Sequence, residues 1–265
     1  MNDDVAFSIS QFRDAWRLMC GACPGYLTGG ASDVDYIFSG LPIPFFNAAI
    51  VGARDISRDA LTTMGLAARA WAADRHVPWM FIVTHEALAP GVDAASALDS
   101  AGLTGLLPLT GMRAQRVGPP PPDIPGMQLE VPGDDAGCEA VVDVNSAAYG
   151  MPLDACKPIL GNPSFWASHV PAIGRVDGTP VASAAVLMVE GYRYVALVAT
   201  RPDHQRRGYG DAVMRHALEV AATRHGEIPT TLHATDAGRP IYARMGYETI
   251  ATHTAFIEKR FLEGH

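Results

Sequence analysis

An apolar run from Tyr194 to Thr200 breaks at Pro202 and gives way to a helical pattern from Gly208 to His225, with Gln205-Arg206-Arg207-Gly208-Tyr209-Gly210 between them. This junction constrains the fold more than any other stretch. The helix is amphipathic, with Val213, Ala217, Val220 and Ala221 at three- and four-residue steps, so one face must lie on a core. A glycine-bearing turn at a helix start leaves several backbone N–H groups unpaired at the positive end of the helix dipole, an arrangement suited to phosphate. The two arginines add positive charge beside it.

Two glycines one residue apart also occur in turns that need only a positive φ. The spacing Q-x-x-G-x-G differs both from the dinucleotide pattern G-x-G-x-x-G and from the nucleotide-triphosphate loop that ends in Gly-Lys-Ser/Thr. No such lysine follows Gly210, which excludes a kinase-like loop. After the helix come a short strand, Ile228 to Thr235, and the run Arg239-Pro240-Ile241-Tyr242-Ala243-Arg244-Met245-Gly246-Tyr247.

In order and spacing these segments resemble the GNAT superfamily of acyl-CoA-dependent N-acetyltransferases, with its phosphate motif Q/R-x-x-G-x-G/A and its Y-x-x-x-G-F/Y ending. The resemblance covers roughly residues 127 to 265. It implies an α/β fold of the α+β type, a mixed, mostly antiparallel sheet flanked by helices, in which two strands splay so that pantetheine wedges between them. It further implies acetyl-CoA as cosubstrate and no metal. The backbone of Val198, Ala199 and Thr200 would pair with pantetheine, and Gln205, Arg206, Arg207, Gly208, Tyr209, Gly210 and Asp211 would surround the pyrophosphate. Tyr242 aligns with the tyrosine that protonates the departing thiolate in many members.

The chemistry of that assignment can be stated independently. Acyl transfer from a thioester to an amine needs a neutral amine, donors for the tetrahedral oxyanion and an acid for the leaving sulfur. A tyrosine, with a pKa near ~10, stays protonated at neutral pH and can be that acid. The alternative for Tyr242 is a core tyrosine on a short helix. For the general base the sequence is less helpful. Many relatives carry a Glu near the splayed strand, whereas this strand reads Tyr-Val-Ala-Leu-Val-Ala-Thr. Glu190, His204 and His233 are candidates, each equally readable as an ordinary loop or strand residue, and a water chain could carry the proton instead.

A chain of 265 residues with 48% hydrophobic content can fill one large or two ordinary domains. Gly118-Pro119-Pro120-Pro121-Pro122-Asp123-Ile124-Pro125-Gly126 is its densest Pro/Gly stretch. The boundary expected from it gives domains at 1–118 and 127–265, joined by an extended linker at 119–126. Eight basic and twelve acidic residues precede Gly126, with twelve and sixteen from there on. Neither half is a basic nucleic-acid module, and the net charge of −8 argues against general affinity for anionic membranes.

The first half also echoes the second. Ala73-Asp74-Arg75-His76-Val77-Pro78 before the strand Trp79 to Thr84 parallels Ala222-Thr223-Arg224-His225-Gly226-Glu227-Ile228-Pro229. Likewise Ala97 to Leu103 before Thr104 to Met112 parallels Ile241 to Tyr247. Two tandem GNAT-like domains are therefore expected, the first degenerate. Before its helix (Asp59 to Ala73) stands Val51-Gly52-Ala53-Arg54-Asp55-Ile56-Ser57-Arg58 with no G-x-G turn, and Leu98 takes the place of Tyr242.

The function these expectations imply is acetyl transfer to the amine of a small molecule by direct attack. The alternatives are a non-catalytic acyl-CoA-binding module or a tandem acyltransferase like mycothiol synthase. Cys20-Gly-Ala-Cys23 follows a helix-like stretch and reads as a helix end with two small buried thiols rather than a redox pair. Leu41 to Asn47 could line a pocket but reads more simply as apolar core. With an acidic start and no long apolar run, a cytoplasmic protein is expected, with a homodimer compatible.

Overall fold

The computed structural model describes residues 3–31, 33–118 and 123–262; Pro119 to Pro122 of the expected linker lie outside them. The first half contains α1 (Asp3–Gly21), β1 (Leu27–Ala31), β2 (Val34–Phe38), β3 (Asn47–Val51), α2 (Arg58–Ala72), β4 (Met80–Thr84), α3 (Ala94–Asp99) and β5 (Leu103–Ala114). The second contains β6 (Met127–Glu130), α4 (Asp135–Tyr149), α5 (Leu153–Leu160), α6 (Pro163–Trp166), β7 (Val170–Val176), β8 (Thr179–Val189), β9 (Tyr192–Thr200), α7 (Tyr209–His225), β10 (Thr230–Ala234), α8 (Arg239–Arg244) and β11 (Glu248–Glu258). The repeat is plain in the topology. In each half an antiparallel hairpin (β2–β3, β8–β9) is followed by a helix that crosses to a parallel strand (β3–β4, β9–β10), then a short helix and a long strand.

Compactness divides the chain differently from the boundaries expected at 118 and 127. One unit comprises residues 1–112, 233–239 and 249–265; the other comprises 113–232 and 240–248. The reason is strand pairing. The last strand of the chain, β11, runs antiparallel to β4 of the first half, from His253 opposite Thr84 to Ile257 opposite Met80. No local signal in residues 248–258 distinguishes that partner from a neighbour in the second half.

In the first unit, Tyr36, Phe38, Leu61, Trp79, Phe81, Leu98 and Phe256 form a buried core. Helix α2 presents Leu61, Gly65, Ala68 and Ala72 to it. The end of β11 is anchored by Glu258, 2% exposed, which accepts hydrogen bonds from Trp79 Nε1 (2.7 Å), Arg260 Nη2 (2.9 Å) and Arg69 Nε (3.2 Å). Burial raises the pKa of its carboxyl, but the Trp79 and arginine donors outweigh burial and hold it below the usual value. All four cysteines are free and buried. Cys20 and Cys23 close α1 as the sequence indicates, with burial pushing Cys23 up to about 11 and Cys20 higher still, so neither supplies a thiolate.

The same unit holds a buried polar cluster. Ser8 Oγ lies 3.0 Å from His233 Nε2 and 3.1 Å from His253 Nε2, and His253 Nδ1 lies 2.9 Å from Thr84 Oγ1. The Ser8 hydroxyl has one hydrogen, so it donates to one imidazole and accepts from the other. Any side chain at Gly111 would overlap Ser8 Oγ. Burial, with His85 adding and Glu86 opposing, drives the His253 pKa from 6.5 down to about 4; burial drives His233 well below its usual value too.

Both imidazoles are thus neutral in the fold and bind protons only once it opens. Stability is therefore unaffected above about pH 7 and falls as pH drops from the unfolded value near 6.5 toward the folded ones. Between pH 7 and pH 5 the loss should be about 2 kcal/mol from His253, with His233 adding to it in the same direction. Urea midpoints across that range check this; a flat profile would mean that the imidazoles are hydrated in the native state.

Candidate active site

The site is built in the second unit around the carboxyl end of β9. Strand β10 pairs with β9 only from Thr230 opposite Arg193 to Leu232 opposite Val195, so the β10-facing edge of β9 has no paired partner beyond Val195. On its other side β9 carries a bulge. Ser183 faces Ala199 but Ala185 faces Ala196, so Leu197 and Val198 together stand opposite Ala184. Leu197 has φ +55, which a leucine adopts only under constraint from its surroundings. Beyond the bulge, Arg201 N–H bonds Val181 O at 2.9 Å, so by alternation Ala199 faces β8 while Val198 and Thr200 face away. Both outward carbonyls already have a donor: Tyr149 Oη on Val198 O at 2.6 Å, and Gln205 Nε2 on Thr200 O at 3.4 Å.

Between β9 and α7 the chain makes a short 3-10 turn at Pro202–His204, then passes through Arg206 with φ +62 and Gly208 with φ +83. Gly208 is the N-cap of α7, and no side chain caps the helix. The first helical bond runs from Ala212 N–H to Gly208 O (3.1 Å), so the N–H groups of Tyr209, Gly210 and Asp211 have no helical acceptor. Gly208 is needed for its φ, Gly210 for proximity: a Cβ there would lie 3.2 Å from Thr200 Oγ1.

The charges fit an anion. Arg206 and Arg207 are exposed, and among the described residues Arg207 makes only a 3.3 Å bond to Asp203 O. The one carboxylate in the first turn of the helix, Asp211, is held by Arg215 Nε at 2.6 Å.

Of the two tyrosines of the Y-x-x-x-G-Y ending, Tyr247 is committed to structure: it is buried, and its hydroxyl lies 2.9 Å from Thr230 Oγ1. Tyr242, on α8, is half-buried, and its hydroxyl makes no hydrogen bond among the described residues. Burial, with Tyr149 and Tyr247 adding, raises its pKa well above the usual phenol value, so it is protonated at neutral pH. Its ring lies 6.1 Å from that of Tyr247, centroid to centroid.

The three candidate bases are placed by different elements. Glu190 sits in the β8–β9 hairpin turn, eight residues before Val198, or about 26 Å along the strand. His233 belongs to the first unit and is bonded to Ser8. His204, in the 3-10 turn, has its Nδ1 2.9 Å from Asp203 Oδ1. Sequence reasoning missed Leu197, because leucine carries no signal for positive φ, and Tyr149, which reads as an ordinary helix end before Gly150.

The corresponding crossover in the first unit differs in having a side-chain cap. The N-cap of α2 is Ser57, whose own hydroxyl accepts from Ala60 N–H at 3.2 Å. Among the described residues no group of side chains could hold a metal ion, and no helix is long and apolar enough to cross a membrane.

Residues 165–249 match the family model of the acetyltransferase (GNAT) domain. No curated protein matches the chain. Among solved structures, a GCN5-related N-acetyltransferase from Kribbella flavida is similar over 98% of this chain and 96% of its own, with TM-score 0.71 and 20% identity. A tandem GNAT protein from the clavulanic acid biosynthesis pathway is similar over 97% and 95%, with TM-score 0.57 and 14% identity. A GCN5-related N-acetyltransferase from Sphaerobacter thermophilus covers 84% and 75%, with TM-score 0.60 and 15% identity. The two-fold arrangement is thus a known one, and the matched segment contains the bulge, the glycine turn and the parallel crossover. Within the second half, residues 165–249 are thus similar to the acetyltransferase (GNAT) domain, and the fold of the whole chain is similar to that of GNAT structures.

Proposed function

We propose that the protein transfers an acetyl group from acetyl-CoA directly to the amine of a small molecule, with catalysis in the second half. The observation that carries this reading is the uncapped start of α7, where three orphan N–H groups and two exposed arginines meet at the open end of β9. On this reading the N–H groups from Arg206 to Asp211 bind the pyrophosphate and the backbone of Val198 to Thr200 pairs with pantetheine, which shares or displaces the present Tyr149 and Gln205 contacts. The neutral amine attacks the thioester carbon, the C–N bond forms, and the tetrahedral intermediate collapses with loss of the C–S bond. Tyr242 gives its proton to the thiolate, and the amine proton leaves through water. The first half serves as a non-catalytic partner, consistent with the Ser57 cap and with Leu98, fully buried, in the place of Tyr242.

Thermal unfolding with excess acetyl-CoA tests the proposal. At about a hundred times the dissociation constant, the ligand should add roughly 2.7 kcal/mol, moving the midpoint by about 5 °C or more. An unmoved midpoint would reduce Gln205 to Gly210 to a structural turn. Tyr242→Phe should then cut CoA release with a competent amine by about 100-fold while leaving acetyl-CoA affinity intact; unchanged release would remove Tyr242 from the mechanism. The lack of a carboxylate on β9 keeps one other reading, an acyl-CoA-binding module without transfer. Acetyl-CoA that binds and stays intact across a broad amine panel would favour it.

A further inference from the structure

The bulge of β9, where Leu197 has φ +55, is braced by side chains. Two consecutive carbonyls of the bulge each have a side-chain hydroxyl near them. Tyr149 Oη donates to Val198 O at 2.6 Å, and Ser183 Oγ lies 3.5 Å from Leu197 O. Ser183 in turn accepts from Asn145 Nδ2 at 2.9 Å. Asn145 and Tyr149 are one turn apart on α4, so a single helix face approaches the bulge from outside the sheet.

The two residues are held very differently. Asn145 is fully buried, its Nδ2 also bonding Val141 O and its Oδ1 left without a partner among the described residues. Tyr149 is 51% exposed, yet its hydroxyl is turned inward onto the one outward-facing carbonyl of the bulge. A tyrosine whose ring gains so little from burial contributes mainly through that hydroxyl.

We propose that Tyr149 is a positioning residue of the acyl-transfer site, one that fixes the Val198–Ala199 peptide by its hydrogen bond to the Val198 carbonyl. The proposal rests on the acyl-transfer reading above. In a peptide unit the C=O and N–H are rigidly coplanar, so a donor on the carbonyl sets the direction of the amide as well. Because Ala199 N–H points back toward β8, the same bond also holds this peptide against the neighbouring strand. Leu197, with its positive φ, needs such bracing, since the bulge would otherwise relax toward a regular strand. Tyr149 thereby keeps the open edge of β9 in one geometry before the thioester arrives, and misalignment there costs turnover more than binding, because the CoA phosphates are held elsewhere.

Tyr149→Phe removes only the hydroxyl from a largely exposed ring. The probe is acetyl-CoA labelled with carbon-13 at the acetyl carbonyl, observed bound to wild type, to Tyr149→Phe and to Ser183→Ala. The wild-type carbonyl resonance should differ from that of free acetyl-CoA, and Tyr149→Phe should lose at least half of that difference. Its thermal midpoint should stay within about 2 °C of wild type. Acetyl-CoA affinity should change less than about 3-fold and kcat with a competent amine should fall about 10- to 50-fold. Ser183→Ala should move the resonance in the same direction.

An unchanged resonance and kcat in Tyr149→Phe would overturn the proposal. So would tighter acetyl-CoA binding with kcat retained, since the hydroxyl would then be covering the Val198 carbonyl against pantetheine. Failure of the wild type itself to bind acetyl-CoA would overturn this proposal together with the functional reading on which it rests; normal wild-type binding with an indifferent variant would overturn this one alone.

Discussion

Gly208→Val should weaken acetyl-CoA binding by at least about 100-fold while leaving the protein folded. Gly208 holds φ +83, a conformation that a β-branched residue adopts only with strain. Its Cβ would lie 3.3 Å from Ile124 Cδ1, and the added methyl groups would stand beside the N–H groups of Tyr209, Gly210 and Asp211. Losing two hydrogen bonds to a charged phosphate, each worth about 1.5–3 kcal/mol, accounts for the expected factor. The control is at the other end of the same helix. Gly226 caps the C-terminus of α7 at φ +87, with nothing within 4 Å of where its Cβ would be. Gly226→Val should incur a comparable strain, about 1–3 kcal/mol, with acetyl-CoA affinity retained. Titration calorimetry on the pair separates backbone strain from loss of the anion site; equal affinities would remove the turn from CoA binding.

The second large effect concerns stability. Glu258→Ala should destabilise the first unit by about 3 kcal/mol, because the Trp79 indole N–H, fully buried, would lose its acceptor and two guanidinium groups their counter-charge. The figure sits at the low end for a broken buried pair, since Arg69 and Arg260 are 39% and 49% exposed at their side chains and can turn to water. Glu258→Gln, which keeps one acceptor for Trp79, should lose about half as much. Because two units need not unfold together, the measurement is hydrogen exchange resolved by strand. Protection of β4 should fall along with that of β11, while β7 and β8 stay protected. Loss confined to β11 would mean that the strand end frays without support from Trp79.

How much of this was legible in the sequence varied with the range of the interaction. The turn from Gln205 to Gly210 was readable because its requirements are local: a proline to end a strand, a glycine for positive φ, another for close approach. The Tyr242–Tyr247 ending was readable for the same reason, and the echo around Ala73 and Ala97 gave the repeat. The pairing of β11 with β4 was not readable, since its alternation would suit any neighbour. Ser8 stands more than two hundred residues from both His233 and His253, and nothing near it marks it as a partner for imidazole. Tyr149 was hidden differently, as an unremarkable aromatic whose meaning lies in the carbonyl it meets.

The place of β11 also sets a timetable. During synthesis the first 112 residues leave the ribosome with β4 still lacking the neighbour it has in the finished protein, and that neighbour is made last, after every strand of the second unit. The usual order, in which an N-terminal domain completes itself before the next one emerges, is closed to this chain. Its first unit must wait as an open-edged intermediate, exposed to pairing with the wrong strand, until residues 249–258 arrive. A nascent chain stalled before Thr249 should therefore be a client for chaperones at its beginning rather than at its growing end.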